Sequence, residues 1–308
     1  MKTVTTTVLV ADAATAGQLR DLPDITLLTL GEDHALPPGA EAAQVYVPGF
    51  LAGAAAVEVI AKLPALELIQ LQTAGAEVWL SHVPTGVTLC TARGAHGGST
   101  AEWSIGAIIA SLRMFPFFRD TQQQGRWERR VTDELAGKRV LVIGSGDLGT
   151  EMARKLEPFD VTTTMCARTA RPGVHGINEV MDLLPEHDIV VLMVPLTEDT
   201  THLVDATFLA AMPDGSLLVN AARGPVVDTD ALLAELRSER LHAALDVTDP
   251  EPLPDGHALF SAPGLLLTPH VAGSVPGALH RSTTVVRRQL GLFAAGSPLE
   301  NVVSAEGY

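Results

Sequence analysis

A short apolar run followed by a glycine-rich turn is the feature that most restricts how this chain folds. Val140–Ile143 has the composition of a buried strand, and Gly144–Gly149 (GSGDLG) follows it directly. Glycines spaced as G-x-G-x-x-G, between a strand and a helix, allow a tight turn and let a phosphate approach the backbone. The N–H groups that begin the helix then face the phosphates. The segment predicts a dinucleotide site built on Gly144, Gly146 and Gly149.

Strand-like and helix-like segments alternate on both sides of this turn. Before it, β-rich runs occupy Val4–Val10, Ile25–Leu30, Val45–Val47, Leu66–Gln72 and Val87–Cys90. From residue 139 onward, six runs have strand composition: Arg139–Ile143, Val161–Met165, Ile189–Val194, Ser216–Asn220, Ala243–Val247 and Leu265–Leu267. Such alternation is typical of parallel sheets covered by helices, and six strands complete a doubly wound sheet. We therefore predict an α/β protein with two doubly wound parallel-sheet domains.

Apolar residues at helical spacing mark the helices between these strands. Before the turn we predict helices over Ala52–Leu63 and, longer, from Thr100 to Phe118, followed by a polar loop over Gln122–Arg130. After the turn the predicted helices are Leu148–Glu157, Glu179–Leu184, Ala206–Met212, Thr229–Glu239 and Ala278–Ala295.

The charge balance restricts the partners of the protein. The 308 residues include 36 acidic and 21 basic side chains, which gives a net charge of −15. That field repels nucleic acids and anionic membranes, so neither is an expected partner. We find no apolar stretch long enough for a secretory signal or a membrane span. The two cysteines, Cys90 and Cys166, lack metal-type spacing, so we expect reduced thiols in a cytoplasmic protein and no metal site.

The second strand after the glycine-rich turn ends without the acid that an NAD site normally places there. That acid binds the adenosine ribose about 20 residues after the turn, but no acid occurs between Asp160 and Glu179. Arg168, Thr169 and Arg171 occupy this loop instead. Loss of the acid together with arginine forks suits a 2′-phosphate. We therefore favour NADP as the cofactor, with NAD as the alternative.

Three later strands end in side chains suited to chemistry at a carbonyl. Arg223 follows one strand, Asp246 and Glu251 follow the next, and His270 follows the last. The carboxyl ends of parallel strands form the ligand-binding edge of a doubly wound sheet. An arginine fork binds a carboxylate and polarises a carbonyl oxygen, while a histidine oriented by a carboxylate exchanges a proton near neutral pH. Arg223, Glu251 and His270 are therefore the candidate catalytic residues for hydride transfer.

Between Leu135 and Ser274 the chain resembles the D-isomer-specific 2-hydroxyacid dehydrogenase family, in its glyoxylate/hydroxypyruvate reductase-like branch. The motifs that carry the resemblance are the segment LAGKRV before the turn, His187–Thr197, Thr200–Val204, Asn220–Asp228, Glu251–Pro254 and Thr268–His270. The resemblance implies reduction of small 2-oxo acids, or oxidation of the 2-hydroxy acids, with a nicotinamide cofactor. The N-terminal third matches mainly in architecture.

The resemblance also implies roles for individual residues. The family's catalytic Arg, Glu and His fall on Arg223, Glu251 and His270, and its acceptor for the nicotinamide carboxamide falls on Asp246. Further cofactor contacts fall on Asp147, Leu148, Val194, Pro195, Ala221, Ala222 and Gly273. A loop whose backbone N–H groups bind the substrate carboxylate corresponds to Thr73–Ala76, centred on Ala74 and Gly75. Arg223 and His270 also contact the substrate.

The family further implies a discontinuous domain organisation. A flavodoxin-like substrate domain is formed from residues 1–100 and 276–308, and a Rossmann cofactor domain, residues 101–275, is inserted into it. A cleft that closes on the ligand and a homodimer are also implied. The sequence departs from the family at Asp160, where a glycine is usual, and in the loop Arg93–Gly98. In that loop we expect His96 to have a surface or loop role rather than to bind substrate.

Several alternatives stay open on the sequence alone. Formate dehydrogenases resemble a version with Gln at the position of Glu251, so the carboxylate disfavours them. A phosphite-type dehydrogenase uses the same three catalytic residue types, and a dinucleotide-sensing corepressor keeps them as a binding protein. The substrate side chain is also open: glyoxylate, hydroxypyruvate, pyruvate and bulkier 2-oxo acids all fit the motifs.

Overall fold

The computed structural model describes residues 5–50 and 52–303, so Val4 of the first predicted strand and the outermost residues of the predicted substrate domain lie outside it. Within the described chain the backbone divides into two compact units. One unit contains the residues up to His96 together with those from Val275 onward, and the other is Gly97–Ser274. The second unit is thus an insertion into the first.

The described part of the first unit begins with a five-stranded parallel sheet. Its elements are β1 (Thr6–Val10), α1 (Ala13–Leu19), β2 (Ile25–Thr29), β3 (Val45–Val47), α2 (Ala54–Glu58), β4 (Leu68–Gln70), α3 (Glu77–Leu80) and β5 (Thr88–Cys90). The strand order is β2-β1-β3-β4-β5, with every pair parallel. This is the flavodoxin-like order of a doubly wound sheet.

Both faces of this sheet are buried, because successive side chains of a strand point to opposite faces. Leu9, Tyr46 and Ile69 enter one apolar cluster. Their neighbours along the same strands, such as Val8 and Leu68, enter the other. The near-continuous apolar runs of the sequence are the consequence of this two-sided burial.

The second unit contains a seven-stranded sheet. Its elements are α4 (Gly97–Leu112), α5 (Phe115–Gln123), β6 (Arg139–Ile143), α6 (Asp147–Leu156), β7 (Thr162–Ala167), β8 (His175–Gly176), α7 (Val180–Leu183), β9 (Ile189–Leu192), α8 (Ala206–Ala211), β10 (Leu217–Asn220), α9 (Thr229–Arg237), β11 (His242–Leu245) and β12 (Leu265–Leu267). The order β12-β11-β10-β9-β6-β7-β8 is parallel throughout. It is the Rossmann order with one added strand, which confirms the predicted fold class. Helix α10 (Pro276–Ala294) belongs to the first unit.

The prediction of six strands in this sheet was wrong by one. The strand that was not predicted is β8, which consists of two residues, His175–Gly176, and pairs with the end of β7. Its sequence has no β-rich run, so composition gave no signal for it. In the Rossmann order β8 is the third strand, and its pairing holds the loop after β7 against the sheet.

Two predicted helices are interrupted. The stretch Thr100–Phe118 belongs to two helices, because Met114 adopts left-handed φ/ψ and Pro116 opens α5. A proline fits the first turn of a helix, where its missing N–H needs no partner. Helix α5 also extends into the predicted loop, as far as Gln123. The stretch Ala52–Leu63 forms the short helix α2 and then a 3-10 turn over Ile60–Lys62.

The two cysteines are fully buried and unpaired, each in the core of a different unit. Burial raises the pKa of the Cys90 thiol to about 11, although a side-chain hydrogen bond from Gln289 lowers it in part. Burial also raises the pKa of Cys166 to about 11. Neither thiol is therefore ionised to a useful extent near neutral pH. Among the described helices, none is both long and apolar enough to cross a bilayer.

Candidate active site

The glycine-rich turn sits between β6 and α6 in the second unit. Gly144 has φ +112°, and a Cβ placed there would lie 2.3 Å from the carbonyl oxygen of Met193. A Cβ at Gly149 would lie 1.8 Å from the carbonyl oxygen of Gly144, so the helix packs directly on the turn. At Gly146 an added Cβ meets nothing within 4 Å. The turn is thus closed toward the protein and open on its outer side, which fits the pyrophosphate of a dinucleotide.

Asp147 and Leu148 are the first residues of α6, and both are partly buried. The Asp147 carboxylate lies against the start of α4, since a Cβ built on Gly97 would come 2.5 Å from its Oδ2. A negative charge is favourable at the N-terminal end of a helix. The carboxylate is therefore directed toward α4, and the backbone N–H groups of the turn are left to face a phosphate.

The arginine-containing loop after β7 reaches the same turn. Arg168, Thr169 and Arg171 are all exposed. The guanidinium of Arg171 donates to the Oγ of Ser145 at 2.7 Å and to its carbonyl oxygen at 3.2 Å. Because Ser145 stands between two glycines of the turn, this contact brings the cationic loop to the place where the adenosine end of a dinucleotide binds in a Rossmann fold.

The other predicted cofactor contacts lie at the carboxyl ends of neighbouring strands. Val194 and the exposed Pro195 follow β9, and the buried Ala221 and Ala222 follow β10. Gly273 follows β12 and is partly buried. Since β9 pairs with both β6 and β10, these ends share one edge of the sheet with the glycine-rich turn.

Arg223 is positioned by the turn that ends β10. The side chain of the buried Asn220 donates to the carbonyl oxygen of Arg223 at 2.9 Å and accepts from the N–H of Ala222 at 3.0 Å. The next residue, Gly224, passes so close to a neighbouring loop that a Cβ there would lie 1.8 Å from the carbonyl oxygen of Thr248. The backbone that carries Arg223 is therefore packed directly on the loop that leads to Glu251.

Glu251 and His270 form a hydrogen-bonded pair. The Oε1 of Glu251 lies 2.5 Å from the Nδ1 of His270, and each side chain is about 40% exposed. Burial raises the pKa of Glu251, but the hydrogen bond and charge of His270, the N–H of Thr248 and the charge of Arg223 together lower it below its ordinary value. The carboxylate is therefore ionised at neutral pH and holds Nδ1, and Nε2 of His270 has no hydrogen-bond partner among the described residues.

Asp246 holds the backbone segment that carries His270. Its fully buried carboxylate accepts from Thr268 Oγ1 at 2.6 Å, from the N–H of Val271 at 2.8 Å and from the N–H of Ala272 at 2.8 Å. Its carbonyl oxygen accepts from the N–H of His270 at 2.7 Å. A carboxylate has about four acceptor sites, and three are used here. Most of the acceptor sites of the Asp246 carboxylate thus hold residues 268–272 in place.

Sequence reasoning missed the residues that support this site. Asn220 and Thr268 belong to quoted motifs, but neither was given a role. A signal did exist for Asn220, because it is a polar residue that ends the buried run Leu217–Asn220. Thr268 offers no comparable signal, since its partner Asp246 is 22 residues away along the chain.

The loop predicted to bind a carboxylate belongs to the first unit. Within the described chain, the N–H groups of Ala74 and Gly75 donate to no other group. Thr73 stabilises the turn, because its Oγ1 donates to the carbonyl oxygen of Gly75 at 3.0 Å and its own carbonyl oxygen accepts from the N–H of Ala92. Two unused N–H groups on a fixed turn are suited to an anion.

His96 lies in the loop before α4, as expected, but it is not at the surface. Its side chain is buried, its Nε2 donates to the carbonyl oxygen of Gln72 at 3.0 Å, and its ring lies 5.5 Å from that of Phe50. Gln72 is 24 residues earlier in the chain, so this environment is created by the sheet and not by the local sequence.

A Rossmann sheet with an open glycine-rich turn, together with an arginine and a Glu–His pair at the carboxyl edge of the same sheet, defines an NAD(P)-dependent dehydrogenase. Comparison with known proteins gives the family. The family profile described as "D-isomer specific 2-hydroxyacid dehydrogenase, NAD binding domain" matches residues 105–272. The chain belongs to this family of NAD(P)-dependent oxidoreductases.

Named relatives and a solved structure agree with this assignment. The chain is 32% identical to glyoxylate/hydroxypyruvate reductase A of Arabidopsis thaliana over 83% of its length and 85% of the relative. It is 32% identical to the glyoxylate reductase of Thermofilum pendens over 69% of its length and 64% of the relative. A D-isomer specific 2-hydroxyacid dehydrogenase from Xanthobacter autotrophicus, solved in complex with NADPH and MES, superposes with TM-score 0.83 at 27% identity, covering 98% of each chain.

Proposed function

We propose that this protein transfers a hydride between NADP(H) and C2 of a small 2-oxo or 2-hydroxy acid, with His270 as the proton donor in reduction and the acceptor in oxidation. The single observation that carries the proposal is the 2.5 Å contact between Glu251 and His270. The charge of Arg223 also lowers the pKa of this Glu251 carboxylate. One carboxylate thus couples the arginine and the histidine electrostatically.

The residues divide the work of the reduction. A bound dihydronicotinamide would supply a hydride to C2, and the electron pair of the C=O π bond would move to the oxygen. Arg223 polarises the 2-oxo oxygen and contacts the substrate carboxylate. In the first unit, the N–H groups of Ala74 and Gly75 are the candidate donors to a carboxylate. His270 gives its Nε2 proton to the alkoxide oxygen, and Glu251 stabilises the imidazolium before that transfer. The same steps in reverse oxidise a 2-hydroxy acid.

The glycine-rich turn and the strand ends would hold the cofactor. Gly144, Gly146, Leu148 and Gly149 surround the pyrophosphate site, and Asp147 orients the turn from the side of α4. Val194, Pro195, Ala221, Ala222, Asp246 and Gly273 lie along the edge where the nicotinamide half would bind. Arg168, Thr169 and Arg171 form the proposed 2′-phosphate site, which favours NADPH over NADH.

Replacement of His270 by alanine tests the proposal. We expect kcat/KM for 2-oxo acid reduction to fall by about 10²–10⁴, while the dissociation constant for NADPH stays within roughly threefold. Steady-state kinetics and a fluorescence titration with NADPH measure the two quantities. His280→Ala, on the exposed side of α10, is the matched control and should keep full activity. Full activity of His270→Ala would remove His270 from the mechanism.

We further propose a homodimer that works in the cytoplasm, where reduced thiols such as the two buried cysteines persist. Support for the dimer comes from the segment Phe115–Val131 of the second unit. Trp127 is 91% exposed, Val131 is 99% exposed, and Arg130 lies over the ring of Phe117 at 4.6 Å. Tryptophan and arginine are enriched in the buried parts of interfaces, and exposed apolar residues on one segment mark such sites. A second copy of the chain is the proposed partner.

A further inference from the structure

The loop after β7 contains a closed turn that fixes the backbone of Arg171. The N–H of Arg171 donates to the carbonyl oxygen of Val174 at 2.9 Å, and the N–H of Val174 donates back at 2.8 Å. Pro172 and Gly173 lie between them, and Gly173 has φ +78°. A proline followed by a glycine with positive φ is typical of a type II turn. Since β8 follows this turn and pairs with the end of β7, the loop is held to the sheet at both of its ends.

The guanidinium of Arg171 is bound to the glycine-rich turn of the same unit. Its Nη2 donates to the Oγ of Ser145 at 2.7 Å and to the carbonyl oxygen of that residue at 3.2 Å. Arg168, three residues earlier, is exposed and makes no hydrogen bond or ion pair with any residue of the described chain. The two arginines of this loop therefore have different surroundings, because one already holds a protein group and the other is open to a ligand.

The contact with Arg171 leaves the hydroxyl of Ser145 as a hydrogen-bond donor. A hydroxyl carries one proton and two acceptor lone pairs. Arg171 occupies one lone pair, and within residues 5–50 and 52–303 the proton has no acceptor. A cationic donor polarises the hydroxyl and strengthens the hydrogen bond that it donates in turn. Ser145 directly precedes Gly146, where an added Cβ meets nothing within 4 Å, so it borders the open side of the turn.

We propose that Ser145 is a further cofactor-binding residue, whose hydroxyl donates to the pyrophosphate of the dinucleotide, and that Arg171 is a positioning residue that acts through it. The oxygens of a pyrophosphate are ionised and accept such a bond well. Because NAD and NADP share the pyrophosphate, the pair contributes to the affinity for both, whereas Arg168 is left for the 2′-phosphate that NADP alone carries. This assignment rests on the proposed function, since it takes the glycine-rich turn as the cofactor site.

Binding of NADH tests the inference, because NADH lacks the 2′-phosphate and does not report any contact of Arg171 with that group. We expect Ser145→Ala and Arg171→Ala each to raise the dissociation constant for NADH by roughly tenfold, as for loss of a hydrogen bond to a charged group. The double variant should match the weaker single variant within about twofold, since both changes break the same chain of hydrogen bonds. Fluorescence titration measures these dissociation constants without turnover.

Two further variants serve as controls. Ser145→Thr keeps the hydroxyl and should keep the dissociation constant for NADH within about twofold of that of the unmodified protein. Arg154→Ala removes an exposed arginine of α6 that donates to Glu151 at 2.8 Å, so it matches Arg171→Ala in charge and in the loss of a side-chain contact. It should leave the binding of NADH unchanged.

The outcomes separate the inference from the proposed function. An unchanged dissociation constant for NADH in both alanine variants, with the fold retained by circular dichroism, would overturn the inference and leave the proposed function standing. Additive losses in the double variant would show that Arg171 does not act through Ser145. A loss in Ser145→Thr as large as that in Ser145→Ala would exclude the hydroxyl as a donor. If the unmodified protein binds neither NADH nor NADPH, the proposed function itself fails.

Discussion

At the scale of single residues, the Glu251–His270 pair makes the reaction dependent on pH in a defined direction. Reduction needs a protonated His270, and the ionised Glu251 stabilises that form across their 2.5 Å contact. Since the pKa of Glu251 is lowered, the carboxylate keeps its charge when the pH falls below neutral. On the acid side, the reduction rate should therefore fall as the pH drops through the lowered pKa of Glu251, where the carboxylate becomes neutral and no longer stabilises the imidazolium.

Glu251→Gln should remove that acid limit and lower kcat/KM for 2-oxo acid reduction. The amide keeps the size of the side chain but does not ionise, so the variant has no carboxylate to neutralise and no negative charge to stabilise the imidazolium. We expect kcat/KM at neutral pH to fall by roughly tenfold or more. The pH profile of kcat/KM for 2-oxo acid reduction measures both effects. An unchanged profile would mean that Glu251 has a different role.

Arg168 is the simplest test of the cofactor preference, because it is exposed directly after β7, at the start of the acid-free loop. Arg168→Ala should raise KM for NADPH by roughly tenfold or more and change KM for NADH little, as expected for loss of a charged hydrogen bond to a phosphate. Steady-state kinetics with both cofactors give the comparison, with Arg237→Ala, an exposed arginine at the end of α9, as control. Equal effects on the two cofactors would contradict the 2′-phosphate site.

The sequence predicted the residues that end strands, but not the contacts between residues that are far apart along the chain. Residues that end apolar strand runs, such as Arg223 and His270, could be identified because parallel strands bring their carboxyl ends to one edge. The supporting contacts could not. Thr268 and Asp246 meet across 22 residues, and the burial of His96 depends on Gln72, 24 residues away. Local composition carries no information about pairings of that kind.

At the scale of elements, the turn after β10 and the loop after β11 behave as one packed unit. Gly224 and Thr248 are in contact, and Thr229, at the start of α9, donates from Oγ1 to the carbonyl oxygen of Asp249 at 2.8 Å. Arg223 and Glu251 therefore keep their spacing only while the two backbones stay this close. A methyl group at Gly224 would separate them.

Gly224→Ala should consequently harm both stability and activity. Overpacking of this kind costs about 1–3 kcal/mol, and the displaced turn would carry Arg223 away from its working position. Thermal unfolding and kcat/KM are the measurements. Gly106→Ala is the matched control: Gly106 is helical, and an added Cβ there meets nothing within 4 Å. It should be neutral or stabilise by up to about 1 kcal/mol. Equal stability and activity of the two variants would show that the close approach of Gly224 to Thr248 has no effect on either quantity.

The elements themselves were predictable in proportion to their length and apolar content. The buried strands β6, β9 and β10 correspond to unbroken apolar runs and were found with ends displaced by two residues at most. Strand β8 was not predicted because two residues are too few to show the alternation of side chains that marks a strand. The break at Met114 was not predicted because the apolar pattern continues through it, and Pro116, which opens α5, was not taken as a helix start.

At the scale of the whole molecule, the assembly is the property most accessible to experiment. A chain with a mass of 32.4 kDa should elute with twice that mass if the segment Phe115–Val131 is an interface. The double variant Trp127→Ser/Val131→Asp should return the protein to its monomer mass in multi-angle light scattering, because it removes apolar anchors of the contact. Phe260→Ser, which changes another exposed aromatic residue of the same unit (61% exposed), should leave the dimer intact. A dimer that survives the double variant would place the interface elsewhere.

The burial of both thiols has a practical consequence for the study of motion in this protein. With pKa values of about 11 and no access to solvent, Cys90 and Cys166 react slowly with maleimides and similar reagents near neutral pH. A cysteine introduced on the surface of each unit would therefore take up a fluorophore or a spin label without prior removal of the native pair. Distances between two such labels, recorded with and without cofactor, would measure any movement of one unit against the other.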